Sequence, residues 1–112
     1  MSKGISFASF ASFDAVTLTA AADGDVHDLE GVAAFHGGQF ALTDFSGGGY
    51  VTVQLKMSLD GVSWSGGASG VILQGVWYIA QTTAFPARYV RAAVTGWPAD
   101  STGVMTAWVG SA

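Results

Sequence analysis

Three aspartates, two histidines and four tryptophans are the residues whose types and spacing could do chemistry in this chain. Asp23, Asp25 and Asp28 form D-x-D-x-x-D, which offers hard oxygen ligands to a cation such as calcium. The pattern lacks the glycine and distal glutamate of an EF-hand loop, and no metal is assigned to it. His27 and His36 stand nine residues apart. On a helix they would project from opposite faces, which argues against a shared metal site. There is no cysteine, hence no thiolate nucleophile, thiolate metal site or disulfide. Neither a G-x-S-x-G elbow nor a Gly-Lys-Ser/Thr phosphate loop occurs, and Gly47-Gly48-Gly49 leads into a strand pattern rather than a helix. The acids, scattered mainly over turns, give no paired-carboxylate signature. The expectation is a protein without enzyme machinery, cofactor or metal.

The aromatic residues point elsewhere. Rings on a sheet face stack on sugars, and they also anchor protein interfaces. Trp77-Tyr78 and Trp97, which precedes Pro98, are the candidates for exposure, whereas Trp64 and Trp108 are expected in the core. Phe7, Phe10 and Phe13 recur at a spacing of three, which matches neither the strand nor the helix period. Residues 1–14 read either as an arm that docks these rings on a neighbouring subunit or as a first strand with core phenylalanines. The candidate interface set is Phe7, Phe10, Phe13, Trp77, Tyr78 and Trp97.

These residues need a scaffold, and strand signals dominate the chain. Over 50–58, Val51, Val53, Leu55 and Met57 alternate with Thr52, Gln54, Lys56 and Ser58, which predicts a half-buried antiparallel strand. Asp60-Gly61 reads as a hairpin turn into a short strand over 62–65. Residues 66–70, Gly-Gly-Ala-Ser-Gly, read as a flexible loop, with strands over 71–73, 76–83 and 87–95. Trp97-Pro98-Ala99-Asp100 is a turn, and 103–109 a closing strand whose pattern fits burial on both faces. Residues 16–20 alternate as a strand. Residues 25–36 read as a short helix capped by Asp25, with Val26, Leu29, Val32 and Ala33 on one face, or equally as strand or loop because of Gly31. No element is assigned to 37–46. The fold class that follows is all-β, an antiparallel β-sandwich of jelly-roll type over residues 15–112, with a closed barrel as second choice.

At 112 residues the chain fits one domain. Half of it is hydrophobic and 11% is charged, against about 25% charged residues in an average soluble domain. Mean hydropathy is +0.42. Such a deficit of charge leaves neutral or apolar area outside the core, and it predicts neighbouring subunits that cover some of it. Net charge is −4, with six acids and one base in residues 1–55 against two acids and three bases thereafter. Four bases give no basic patch for nucleic acid. No stretch approaches the ~18 apolar residues of a membrane span, and the opening Met1-Ser2-Lys3-Gly4 leads into no signal-peptide core.

Four segments carry a family resemblance: Tyr50-Val51-Thr52-Val53-Gln54-Leu55, Ser58-Leu59-Asp60-Gly61-Val62-Ser63-Trp64, Ala87-Arg88-Tyr89-Val90-Arg91-Ala92 and Val104-Met105-Thr106-Ala107-Trp108-Val109. Over residues 40–110 the chain resembles small β-sandwich modules of tailed-bacteriophage virion proteins and, more loosely, discoidin-like galactose-binding sandwiches. The resemblance implies a hairpin at S-x-D-G-x-x-W and a central strand at A-R-Y-V-R. It implies a structural virion protein, capsid decoration first, with a tail or adhesion component or a carbohydrate-binding module as the alternative. The implied partners are copies of the chain itself, as a trimer for instance, and a major capsid or tail protein. Carbohydrate is a further possibility, and nucleic acid and membrane are not implied. The expected location is the virion, after synthesis in the host cytoplasm. The ligand loops of sugar-binding relatives have no counterpart here.

Overall fold

The computed structural model describes residues 9–112, so Phe7 lies outside the described residues. Its strands are β1 (Phe10–Leu18), β2 (Ala22–Asp23), β3 (His27–Ala33), β4 (His36–Ser46), β5 (Val51–Ser58), β6 (Ser65–Ile72), β7 (Gly75–Ala80), β8 (Ala87–Gly96) and β9 (Thr102–Ser111). They form an antiparallel β-sandwich. Sheet A has the order β1-β9-β4-β7. Sheet B has the order β2-β8-β5-β6, and β3 continues the edge that β2 begins along β8.

Period-two alternation builds the core. Val51, Val53, Leu55 and Met57 of β5 are fully buried, as are Phe40 and Leu42 of β4, Val90 and Ala92 of β8, and Met105, Ala107 and Val109 of β9. Each of the larger side chains contributes about 1.5–3 kcal/mol by leaving water. Only the β2–β3 and β5–β6 connections stay within one sheet; every other connection crosses the sandwich. The last strand, β9, sits between β1 and β4, so the two halves of sheet A meet through it.

Several sequence expectations are corrected here. The described residues contain no helix over 25–36; β3 and the start of β4 occupy that segment. His27 and Leu29 point inward while Asp28 and Glu30 stay exposed, so the local period is two and not 3.6. The free edge of β8 supplies the backbone partners that an isolated helix would have found within itself. Glu30, at φ 60, marks a break in this pairing, as Ala15 and Asp44 (both φ 51) do in β1 and β4. Residues 66–70 are not a loop but the middle of β6, paired with β5. Glycine serves close packing there, since a Cβ on Gly67 would stand 2.3 Å from Met57 Cε. The connection after β5 is longer than a two-residue hairpin and holds no strand over 62–64. The Asp60 carboxylate accepts from the Val62 and Ser63 N–H groups and from the Ser58 hydroxyl, at 2.8, 2.8 and 2.9 Å, and this keeps the segment a turn. Gly61 has φ +79 there, as the turn signal predicts.

Candidate functional site

Because Phe40 and Leu42 face the core, Gln39 and Ala41 of β4 face outward. By the same alternation β9 sends out Thr106 and Trp108, and β7 sends out Val76, Tyr78 and Ala80. Register then aligns them: Tyr78 lies opposite Gln39, Gln39 opposite Trp108, and Trp108 opposite Ala11 of β1. A single row thus crosses all four strands of sheet A. Two inter-strand spacings separate Tyr78 and Trp108, about 10 Å between their backbones, with the Gln39 amide between them.

Beside this row the face opens into a cleft of about 490 Å³, lined among others by Phe35, Gly37, Gln39, Tyr78, Ala80 and Trp108. Tyr78 is 77% exposed and Trp108 42%. No acid, lysine or arginine lines the cleft. A Cβ on Gly37 would meet nothing nearer than the Ile79 carbonyl oxygen at 3.6 Å, so this glycine leaves open a floor that a side chain would fill. Phe35 stands at the lip, where its N–H and C=O both pair with Ala112, at 2.9 and 2.8 Å. Beneath the floor, buried His36 donates from Nε2 to the Phe85 carbonyl at 2.8 Å, and its Nδ1 accepts from the Ser111 hydroxyl at 2.6 Å. Both ring nitrogens are thereby engaged, and Ser111 is fixed under the cleft.

Not all of the aromatic candidates come together here. Trp77, beside Tyr78, is 40% exposed, and its Nε1 donates to the Leu73 carbonyl at 2.9 Å, closing the turn that crosses from β6 to β7. Trp97 lies at the other end of the sandwich, half-buried and edge-on to Phe45, with Nε1 donating to the Ser101 carbonyl. Phe13 is in the core at 3% exposure, and Phe10 stacks on the His27 ring at 4.6 Å. The core placement expected for Trp64 and Trp108 is overturned. Trp64 is half-buried under the Arg91 guanidinium, 4.3 Å from its ring centre, and Trp108 opens onto the cleft. Burial of β9 on both faces fails with it, because nothing among the described residues covers sheet A from outside. Thr106, sharing the face of Trp108, is the signal that could have placed it.

The acidic residues sit mainly with sheet B. Asp23 accepts from Lys56 at 3.1 Å and from Arg91 at 3.3 Å. Asp28 takes a two-pronged contact from Arg88 at 2.9 and 3.0 Å. That guanidinium, with the Glu30 N–H, holds the Asp28 carboxyl down at about 2. The Ser63 and Val62 N–H groups and the Ser58 hydroxyl do the same for Asp60, also to about 2. Asp23, Asp25 and Asp28 do not converge; among the described residues no three acids, histidines or cysteines gather as a metal site would require. His27 and His36 likewise have separate partners. No helix among the described residues is long and apolar enough to cross a membrane.

No family model matches the chain, and no curated protein matches it. Solved structures do. The SPBc2 prophage-derived protein YomS superposes with a TM-score of 0.56 at 12% identity, over 99% of both chains. PirA gives 0.53 at 15% identity, covering 96% of this chain and 97% of its own. CpGH89CBM32-6 of Clostridium perfringens gives 0.50 at 13% identity, over 72% of this chain. The chain spans 64% of that module's length. The likeness is one of fold. It places this β-sandwich among those of a prophage-derived protein and a CBM32 module.

Proposed function

We propose that this protein is a non-catalytic recognition subunit of a phage particle, a tail or adhesion component whose sheet A cleft receives a carbohydrate. The observation that carries this reading is the row Tyr78–Gln39–Trp108 beside a cleft that no charged side chain lines. A pyranose presents an apolar C–H face to an aromatic ring and hydroxyls around its rim. Two rings about 10 Å apart, with one amide between them, offer stacking on either side and a donor and acceptor in the middle. The cleft volume lies within the ~300–1,000 Å³ typical of small-molecule sites, which are mostly apolar with a few placed polar groups. The phage setting is supported by the resemblance carried by residues 40–110 and by the prophage origin of YomS.

Glycan-array screening followed by titration of tryptophan fluorescence tests the proposal. A binding glycan should quench Trp108, and Trp108→Phe should remove most of the signal. The absence of any glycan hit, or quenching that survives this substitution, would count against it.

A second reading, capsid decoration, is favoured by a different observation. Val71, Leu73 and Val76 stand 54%, 52% and 55% exposed around the crossing turn between β6 and β7. Such a patch suits burial against a shell protein, at about 25 cal/mol per Å² offset by association costs and multiplied by valency. Imaging of the native particle separates the readings, because decoration requires the protein on the capsid lattice and adhesion requires it on the tail.

A further inference from the structure

The sandwich has four edges, and three of them carry devices that prevent strand addition. The β1 edge has register breaks between Ala11 and Phe13 and between Phe13 and Val16, and it carries exposed Asp14. The β2/β3 edge presents Asp23, Asp28 and Glu30 and breaks between Asp28 and Ala33. The β6 edge is bulged against β5 between Gln54 and Lys56, and its Ala68 N–H is taken by the Gln81 side chain at 2.7 Å. The β7 edge has none of these. Its register with β4 runs unbroken from Gly75 to Ala80, and it contains neither charge nor proline. Among the described residues no strand pairs with its outer side, where alternate N–H and C=O groups point away from β4.

We infer that β7 pairs antiparallel with β7 of a second copy about a two-fold axis centred on Tyr78. The occupant must be an extended backbone, because a row of unpaired main-chain donors and acceptors is what the edge offers. The strand's own sequence then selects another copy of itself. Residues that face each other in a ladder share a face, so the positions of each pair must sum to an even number. Gly75, at φ +135, lies outside the extended region, which leaves 76–80 as the pairing segment and Tyr78 as its centre. In that register Tyr78 meets the second copy's Tyr78, Trp77 meets Ile79, and Val76 meets Ala80. These are an aromatic pair, an aromatic–β-branched pair and a small apolar pair, each favourable across strands, and no like charges oppose. The acidic β2/β3 edge could not pair with itself in this way, since its carboxylates would be brought together.

The result is one eight-stranded sheet, β1-β9-β4-β7 continued by its symmetry mate. Both clefts open on the same side, their β4 floors three strand spacings apart, about 14 Å. Pairing of β7 does not depend on what the clefts hold; if they hold a repeating glycan, the pair engages it twice, with the gain that linkage gives.

Sedimentation velocity of the protein alone, up to millimolar concentration, tests the pairing without any ligand. The wild type is expected to sediment as a dimer. Val76→Lys/Ala80→Lys places lysine opposite lysine twice and is expected to sediment as a monomer. Val76→Lys/Ala80→Glu carries the same number of charges at the same positions but places lysine opposite glutamate, and is expected to restore the dimer. Amide exchange of 76–80 in the wild type, which needs no variant, should slow as concentration rises while that of β1 does not. A monomeric wild type, a dimer that survives the double lysine, or exchange at 76–80 that ignores concentration would each overturn the inference.

Discussion

On the outside of sheet B, Lys56 and Arg91 converge on Asp23, and Arg91 also covers Trp64. On the outside of sheet A, Tyr78 and Trp108 stand beside Gln39 with no charge lining the cleft next to them. The two faces share one core and one backbone geometry, so the contrast lies entirely in the outward half of the alternation. Sheet B satisfies much of its own surface: Lys56, Arg88 and Arg91 find carboxylates within the chain, and half-buried Trp64 is roofed by a cation. Sheet A leaves ring faces and apolar area open, and such area on a small domain marks a place where something else binds. A tryptophan on or beside a strand is therefore not informative by itself. Its neighbours on the same face decide whether it is covered from within.

The sharpest break of this comparison uses two adjacent glycines of β4. A Cβ on Gly38 would lie 3.0 Å from Leu55 Cδ2 and 3.1 Å from Phe40 Cε1, so Gly38→Val should overpack the shared core and cost about 1–3 kcal/mol in urea unfolding. Gly37→Val, one residue away but facing out, should change stability by less than about 0.5 kcal/mol while abolishing ligand-induced tryptophan quenching. Equal destabilisation by both would mean that the cleft floor is not open.

Next in size, Tyr78→Ala should weaken glycan binding at least ~10-fold, about 1.4 kcal/mol, and leave the melting temperature nearly unchanged. Arg91→Ala on sheet B should do the reverse. It should cost about 0.5–1 kcal/mol of stability through the lost contact with Trp64, with unchanged affinity in the same titration. If both substitutions act on binding, the division of labour between the faces is wrong.

The smallest effect is one of pH. Asp28 and Asp60 have folded-state values of about 2 against an ordinary 3.8. Because both are depressed on folding, their contribution is present above the unfolded value and is lost as pH falls from about 4 to about 2. Melting temperature should therefore decline across that window, and Asp28→Asn should flatten the slope. Both groups are exposed, so the decline should be slight and should shrink further with added salt. Glycan affinity, resting on uncharged groups of sheet A, should not follow it.

Strand content was legible wherever polar and apolar residues alternate cleanly, as in 50–58, 87–95 and 103–109, because a strand's period is read from neighbours in sequence. The failures were equally physical. Residues 25–36 satisfy a helical spacing locally, and only the open edge of β8 makes a strand the better solution. The glycine-rich stretch 66–70 has no side chains to show a period, and its place in β6 is set by Met57 and Ile79 packing where side chains would have been. The longest strand, β4, received no assignment although Phe40 and Leu42 alternate with Gln39 and Ala41, because its glycines obscure where it starts.

Of the candidate site, Tyr78 was visible as an exposed aromatic, while Trp108 was placed in the core and Gln39, Phe35 and Gly37 were not singled out. These residues lie on β7, β9 and β4 and in the turn before β4, and no two of these strands are consecutive. The sequence by itself determined that the chain is all-β, poor in charge and rich in aromatics, because composition and period are local properties. Only the tertiary structure decided that Tyr78 and Trp108 flank Gln39. Cross-strand register is fixed by the packing of Phe40, Leu42, Met105 and Val109 into one core, and the sequence does not state which strands that packing brings side by side.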